Sequence, residues 1–236
     1  MKKFLFLLVA MCSFSIAAQS TYLHCGKLID TKTGQVLSNK TIIVSGKKIT
    51  AIQDGFVSPK NTEDSVINLK DKTVMPGLID MHVHIEGESS PSNYIDHFTK
   101  NEADVAFGSL RLAKTTLLAG FTTVRDMGGS GVNIALRNAI AQGKVVGPRI
   151  FTAGKAIGTT GGHADPTNGV RNDLKGDPGP KEGVINNVDD ARKAVRQRYK
   201  DGADNIKITA TGGVLSMAKN GQNPQFTIEE IKVICE

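Results

Sequence analysis

The patterned part of the chain opens with short stretches in which apolar and polar positions alternate. Residues 22–28, 41–45 and 49–53 carry this period, separated by turn signals at Thr33-Gly34 and Ser45-Gly46. Alternation bounded by such residues predicts strands, and residues 19–72 read as a small antiparallel β unit of about four of them. A unit of that size buries too little apolar surface to stand alone and is expected to pack on the segment C-terminal to it.

From residue 73 the rhythm changes. An apolar run over 74–85 precedes a helix predicted at 102–118, where Ala103, Ala106, Phe107, Leu110, Ala113 and Leu117 form one stripe and Gly120 is the stop. Strands are predicted at 121–124, 149–153 and 205–209. Helices are predicted at 134–141 and 189–200, closed by Gly143 and Gly202. A last helix opens with Thr227 and Glu230 at capping-box spacing. Strands alternating with helices predict βα units on a parallel sheet. Residues 158–183 break the rhythm: about 26 positions rich in Gly and Pro, with no apolar period, predict a structureless substrate-covering loop.

Of the 236 residues, 39% are hydrophobic and 22% charged, the balance of a globular protein, which excludes disorder, collagen and coiled coil. Residues 1–18 read as a secretory signal: Lys2 and Lys3 lead an apolar stretch too short to span a bilayer, and Ala17 and Ala18 supply small residues for cleavage. The expected location is therefore secreted or periplasmic, with no stable membrane span after removal. The formal net charge is +6. Losing Lys2 and Lys3 leaves about +4 with no block of like charges, so no nucleic-acid partner is expected. Cys25 and Cys235 remain, in a compartment that would permit a bridge, and the sequence leaves their pairing open.

His82 and His84 are the sharpest chemical feature. Two residues apart on a strand, they share one face about 7 Å apart along the backbone, and one metal ion could take both. The run Met75-Pro76-Gly77-Leu78-Ile79-Asp80 delivers them to a strand end, where α/β proteins place their sites. Lys207 is the second feature, pointing opposite to Ile206 and Ile208 on the fourth strand. Buried on that face, its amine would be pushed toward neutrality, and a neutral amine adds carbon dioxide to give a carbamate able to bridge two cations. His163, in Gly161-Gly162-His163-Ala164-Asp165, is a candidate substrate contact because its loop follows the third strand. Arg125 and Asp126 end the second strand and read as a structural salt link. The chain has no phosphate-binding Gly-Lys-Ser/Thr loop and no Gly-x-Ser-x-Gly elbow, which disfavours nucleotide and serine hydrolases.

The stretch Val74-Met75-Pro76-Gly77-Leu78-Ile79-Asp80-Met81-His82-Val83-His84 resembles the amidohydrolase superfamily, whose first barrel strand ends in this His-x-His. The resemblance continues through Gly120-Phe121-Thr122-Thr123-Val124-Arg125-Asp126 and the segment from Ile206 to Ser216, and it covers nearly everything from Tyr22 onward. The three motifs together are similar to the imidazolonepropionase-related branch with its secreted Xaa-Pro dipeptidases and ochratoxin-degrading amidases. This implies an α/β fold: the first four βα units of a (β/α)8 TIM barrel, over residues 73–236, with a small N-terminal β-sandwich subdomain. It also implies one or two divalent metal ions, most often zinc, held by His82, His84 and a carbamylated Lys207, and hydrolysis of a small peptide or amide substrate by activated water. Homo-oligomers are compatible with the family.

The family pattern continues with a histidine after each of strands five and six and an aspartate after strand eight. The five histidines here are His24, His82, His84, His97 and His163, and none follows Lys207. The expectation is the N-terminal half of a metal-dependent amidohydrolase, from a truncated or incompletely read gene. It holds no catalytic aspartate of its own and is inactive alone. The alternative is a non-catalytic remnant or half-barrel binding module that needs a complementing chain.

Overall fold

The computed structural model describes residues 19–213 and 220–236. The expected signal over 1–18 lies outside the described residues, as do Val214, Leu215 and Ser216 of the third motif. The chain divides into two compact units, Met1–Pro76 and Gly77–Glu236.

In the first unit β1 (Ser20–Asp30), β2 (Gln35–Ser45), β3 (Lys48–Asp54) and β4 (Ser65–Val74) form one sheet in the order β3-β2-β1-β4. β1 and β2 are a long antiparallel hairpin from Ser20↔Ser45 to Asp30↔Gln35. Asp30 builds its turn by accepting the Lys32 N–H at 2.9 Å and the Thr33 hydroxyl at 2.7 Å, the side-chain mimicry for which aspartate is favoured in turns. β4 runs parallel to β1, which corrects the expectation of a wholly antiparallel unit. The chain crosses from β3 at one edge to β1's free side at the other, and a crossover, unlike a hairpin, brings the next strand in parallel. Cys25, Leu28 and Ile42 form the buried cluster of this unit, with Leu23, Leu37, Val44 and Val74 against it.

The second unit is mixed α/β. β5 (Leu78–Val83), β6 (Phe121–Asp126) and β7 (Arg149–Thr152) pair in parallel, in that order. α1 (Asn93–Thr99) and α2 (Glu102–Leu118) connect the first pair and α3 (Val132–Ala141) the second. After β7 come a short parallel pair, β8 (Gly158–Thr159) and β9 (Val184–Ile185), then α4 (Val188–Asp201) and α5 (Ile228–Cys235). Side chains local in sequence start these last two helices. The Asn187 side chain accepts from the Asp190 N–H, and Thr227 and Glu230 close the expected capping box by reciprocal hydrogen bonds.

One face of the sheet packs on helices. Ile85, Val124 and Ile150 are buried against Ala113 of α2 and Leu136 of α3, while Ile157 and Ile185 are buried with Ala191 and Ala194 of α4 and Ile234 of α5. Each fully buried branched side chain contributes about 2 kcal/mol.

Three expectations change, and one further helix is present. The strand at 205–209 is reduced to one parallel bridge, Ile208 with Ile157. Its partner stretch continues the ladder to Asp126 through the Ala153 N–H and then turns at Gly154, φ 62°, whose N–H goes to Thr152 Oγ1. The segment still lies beside it through Asp204 N–H to Thr152 at 2.7 Å, Ile157 N–H to Lys207 at 2.8 Å and Thr209 N–H to Ile157 at 3.0 Å. Residues 158–183 are not structureless, because β8 opens them and a chain of turns fills them. α1 is not among the helices expected: it is only seven residues long and, though Tyr94, Ile95 and Phe98 fall at helical spacing, it buries none of them. On α2, Ala103 and Phe107 leave the expected stripe and face outward, and the face toward the sheet is centred on Ser109 and Ala113.

Candidate active site

Strand alternation sets the site. On β5, Val83 and then Ile85 pack toward the helices, so His82 and His84 project from the other face. On β6, Val124 and Asp126 are buried and Arg125 projects with the histidines. On the fourth segment Ile206 and Ile208 pack on the α4–α5 cluster, and Lys207 takes the opposite side as predicted.

The His82 and His84 rings meet edge to face, with centroids 5.4 Å apart. Partial desolvation, followed by the positive charges of Lys207, His84 and Arg125, holds the His82 imidazole below its ordinary proton affinity, with Asp80 acting the other way. The structure thus brings His82, His84 and Lys207 into one electrostatic neighbourhood. His84 Nδ1 lies 2.8 Å from the Gly128 carbonyl. A carbonyl only accepts, so this nitrogen carries a proton, and in the neutral form of the ring Nε2 is then the nitrogen with the lone pair. Imidazoles in their neutral form suit a divalent cation as donors. Among the described residues no group of three or more His, Cys, Asp and Glu gathers around such a position. Lys207 stands on this face as well, and its amine ligates only once its positive charge is gone.

The expected Arg125–Asp126 salt link is absent. Arg125 Nε donates to the Met81 carbonyl at 2.8 Å. Asp126, fully buried, accepts the Ile85 N–H at 2.9 Å, the Gly128 N–H at 3.1 Å and Asn133 Nδ2 at 3.0 Å. Burial pushes its carboxyl up, against those three donors, and the charge of Glu86 pushes the same way. Glu86 itself accepts the N–H groups of Ser130 and Asn133, both at 2.6 Å. The sequence marks neither carboxylate as a site residue, because these partners are set by the fold and not by any local pattern. The glycine pair Gly128-Gly129 is the only signal along the chain.

His163 lies in the loop after β8. Its backbone N–H donates to Gln225 Oε1 at 2.9 Å, and its ring lies over Gly213, where a Cβ would come within 2.4 Å of His163 Cε1. Its loop is pinned by Asp165, which accepts the Gly161 N–H at 2.7 Å and both the N–H and hydroxyl of Thr167, at 2.9 and 2.7 Å. Burial opposes ionisation of Asp165, yet these donors and the charge of Lys175 win and hold its carboxyl below the ordinary value of 3.8. Cys25 is buried, Cys235 exposed, and both are free thiols.

Parallel strands backed by helices, with imidazole and amine side chains gathered on the opposite face, define a mixed α/β protein. The chain belongs to the amidohydrolase family, whose profile matches residues 73–236. It is 32% identical over 235 residues to ochratoxinase from Aspergillus niger, an alignment covering 93% of this chain and 48% of that protein. Among solved structures it is similar to a Xaa-Pro dipeptidase with methionine bound in its active site, at 51% identity and a TM-score of 0.86, covering 92% of this chain and 53% of the other. It is also similar to a prolidase complexed with N-methylphosphonate-L-proline, at 35% identity and a TM-score of 0.79, covering 92% and 52%. The chain therefore spans about half the length of the relatives it matches.

Proposed function

We propose that this chain supplies the first four βα units of a metal-dependent (β/α)8 hydrolase of amide carbon–nitrogen bonds, with Xaa-Pro-type dipeptides as the substrate class. The observation that carries the reading is the shared face of His82, His84 and Lys207, with the lysine's charge acting on His82. The greater identity to the Xaa-Pro dipeptidase, 51% against 32% for ochratoxinase, favours the dipeptide over the ochratoxin-like amide.

His82 and His84 would hold one or two divalent ions, zinc foremost, with Lys207 as a carbamate joining them. The ion would polarise the scissile carbonyl and lower the pKa of the attacking water. This chain's own contribution is orientation: His84 presents Nε2 because its Nδ1 is spoken for, and desolvation holds His82 toward its neutral form. His163 would touch the substrate from the loop pinned by Asp165. The protein would act after export, as a secreted or periplasmic enzyme without nucleic-acid partners, and self-association is compatible with this.

The test is zinc uptake by the purified chain under bicarbonate, followed by hydrolysis of Xaa-Pro dipeptides. His82→Ala and His84→Ala should each lower zinc affinity at least tenfold. With 13C-labelled bicarbonate a carbamate resonance should appear and vanish in Lys207→Ala. Unchanged zinc binding in both histidine variants would overturn the metal assignment.

A second reading has its own support. The described residues gather two imidazoles and one lysine, and the chain matches 48% of ochratoxinase. On that basis these 236 residues by themselves would turn over little or no dipeptide, as a half-barrel module that needs complementing residues. Turnover comparable to ordinary metallopeptidases, with zinc added and no partner, would refute this.

A further inference from the structure

We propose that Asp126, with Glu86 beside it, is a positioning residue that locks His84 into one tautomer through the Gly128 carbonyl. Its functional consequence rests on the reading of His84 as a metal ligand; the structural claim does not.

The loop after β5 and the loop after β6 are tied together at four points around His84. Asp126 Oδ2 accepts the N–H of Ile85, the residue immediately after the histidine. Asp126 Oδ1 accepts the N–H of Gly128, the residue whose carbonyl receives His84 Nδ1–H. One carboxylate thereby fixes both ends of the hydrogen bond that sets the imidazole. Glu86, two residues after His84, reaches the far side of the same loop at Ser130 and Asn133, and Asn133 Nδ2 returns to Asp126.

The glycines between these anchors are required by space and by backbone angle. Gly128 has φ 142°, outside the range L side chains favour, and a Cβ at Gly129 would fall 2.5 Å from Glu86 Cδ. A loop held this tightly, by carboxylates at both ends, has one place to put the Gly128 carbonyl. With that carbonyl fixed, only the tautomer protonated on Nδ1 is satisfied, and Nε2 is left as the open donor. A mere structural anchor would need none of this coincidence with His84.

The experiment is 15N NMR of the histidine rings in the metal-free full chain. The unmodified chain should show His84 as a single tautomer, protonated on Nδ1. Asp126→Asn turns one acceptor into a donor facing an N–H, and should give a mixture of tautomers with zinc affinity reduced ten- to a hundredfold. Glu86→Gln, a milder change, should shift the mixture in the same direction and keeps the claim testable should Asp126→Asn not fold. Leu136→Ala weakens the helix-side core without touching the loop and should leave the His84 tautomer alone. The proposal is overturned by a single unchanged tautomer in Asp126→Asn and Glu86→Gln, or by equal disturbance in Leu136→Ala. A chain that takes up no zinc, yet whose His84 tautomer still depends on Asp126, upholds the positioning role and overturns the metal reading alone.

Discussion

Asp165 shows how one side chain organises a loop that carries no regular pattern. Its two oxygens accept three donors from Gly161 and Thr167, and hydrogen bonds to a buried charge stabilise by about 1.5–3 kcal/mol each. Because its carboxyl is held below 3.8 in the folded chain, the unfolded chain takes up the proton first as pH falls. The stability it contributes is therefore complete above that value and is lost as pH drops through the lowered one. Asp165→Asn should cost about 2 kcal/mol near neutrality and flatten this acid limb. Urea midpoints measured from pH 6 down to pH 2.5 would show it, and parallel curves for the two proteins would count against the assignment. At this scale residue type and strand parity in the sequence are enough to put His82, His84 and Lys207 forward as candidates. It cannot disclose Asp126 or Glu86, which find hydrogen-bond partners 41 and 47 residues away.

The elements legible in the sequence are those whose signals are local. α3, α4 and α5 carry stop or cap residues and apolar stripes, and strand β6 an alternation, so periodicity finds each within a few residues. Where an element depends on its neighbour, the pattern fails: β4 takes its direction from a crossover, and the 205–209 segment loses its ladder because the partner stretch turns at Gly154. Ile157 marks the difference between local and tertiary energy. Fully buried between β8's leading edge and the α4–α5 cluster, it should cost about 3 kcal/mol as Ile157→Ala. Thr227→Ala, which removes only the α5 cap, should cost about 1 kcal/mol. Chemical denaturation of both variants would check the ratio; a cap loss as large as the core loss would mean that α5 is held by its end and not by its packing.

For the whole molecule, the apolar side chains that the parallel sheet leaves exposed have consequences for solubility. Phe151 on β7 is 46% exposed, and Ile79 and Met81 of edge strand β5 are 61% and 53% exposed. An edge strand with apolar side chains in water is a template for pairing with another chain. The purified 236-residue chain should self-associate as its concentration rises, and Ile79→Lys should reduce this, as read by sedimentation velocity. A monomer at all concentrations would overturn the expectation. The amino-acid order by itself determined the βα rhythm, the helix caps, the family and the side of the sheet on which His82, His84 and Lys207 stand, because periodicity and chirality act over a few residues. Only the tertiary structure decided β4's direction, the ordering of residues 158–183 and the carboxylate ties around His84, because a hydrogen bond between distant segments leaves no periodic trace along the chain.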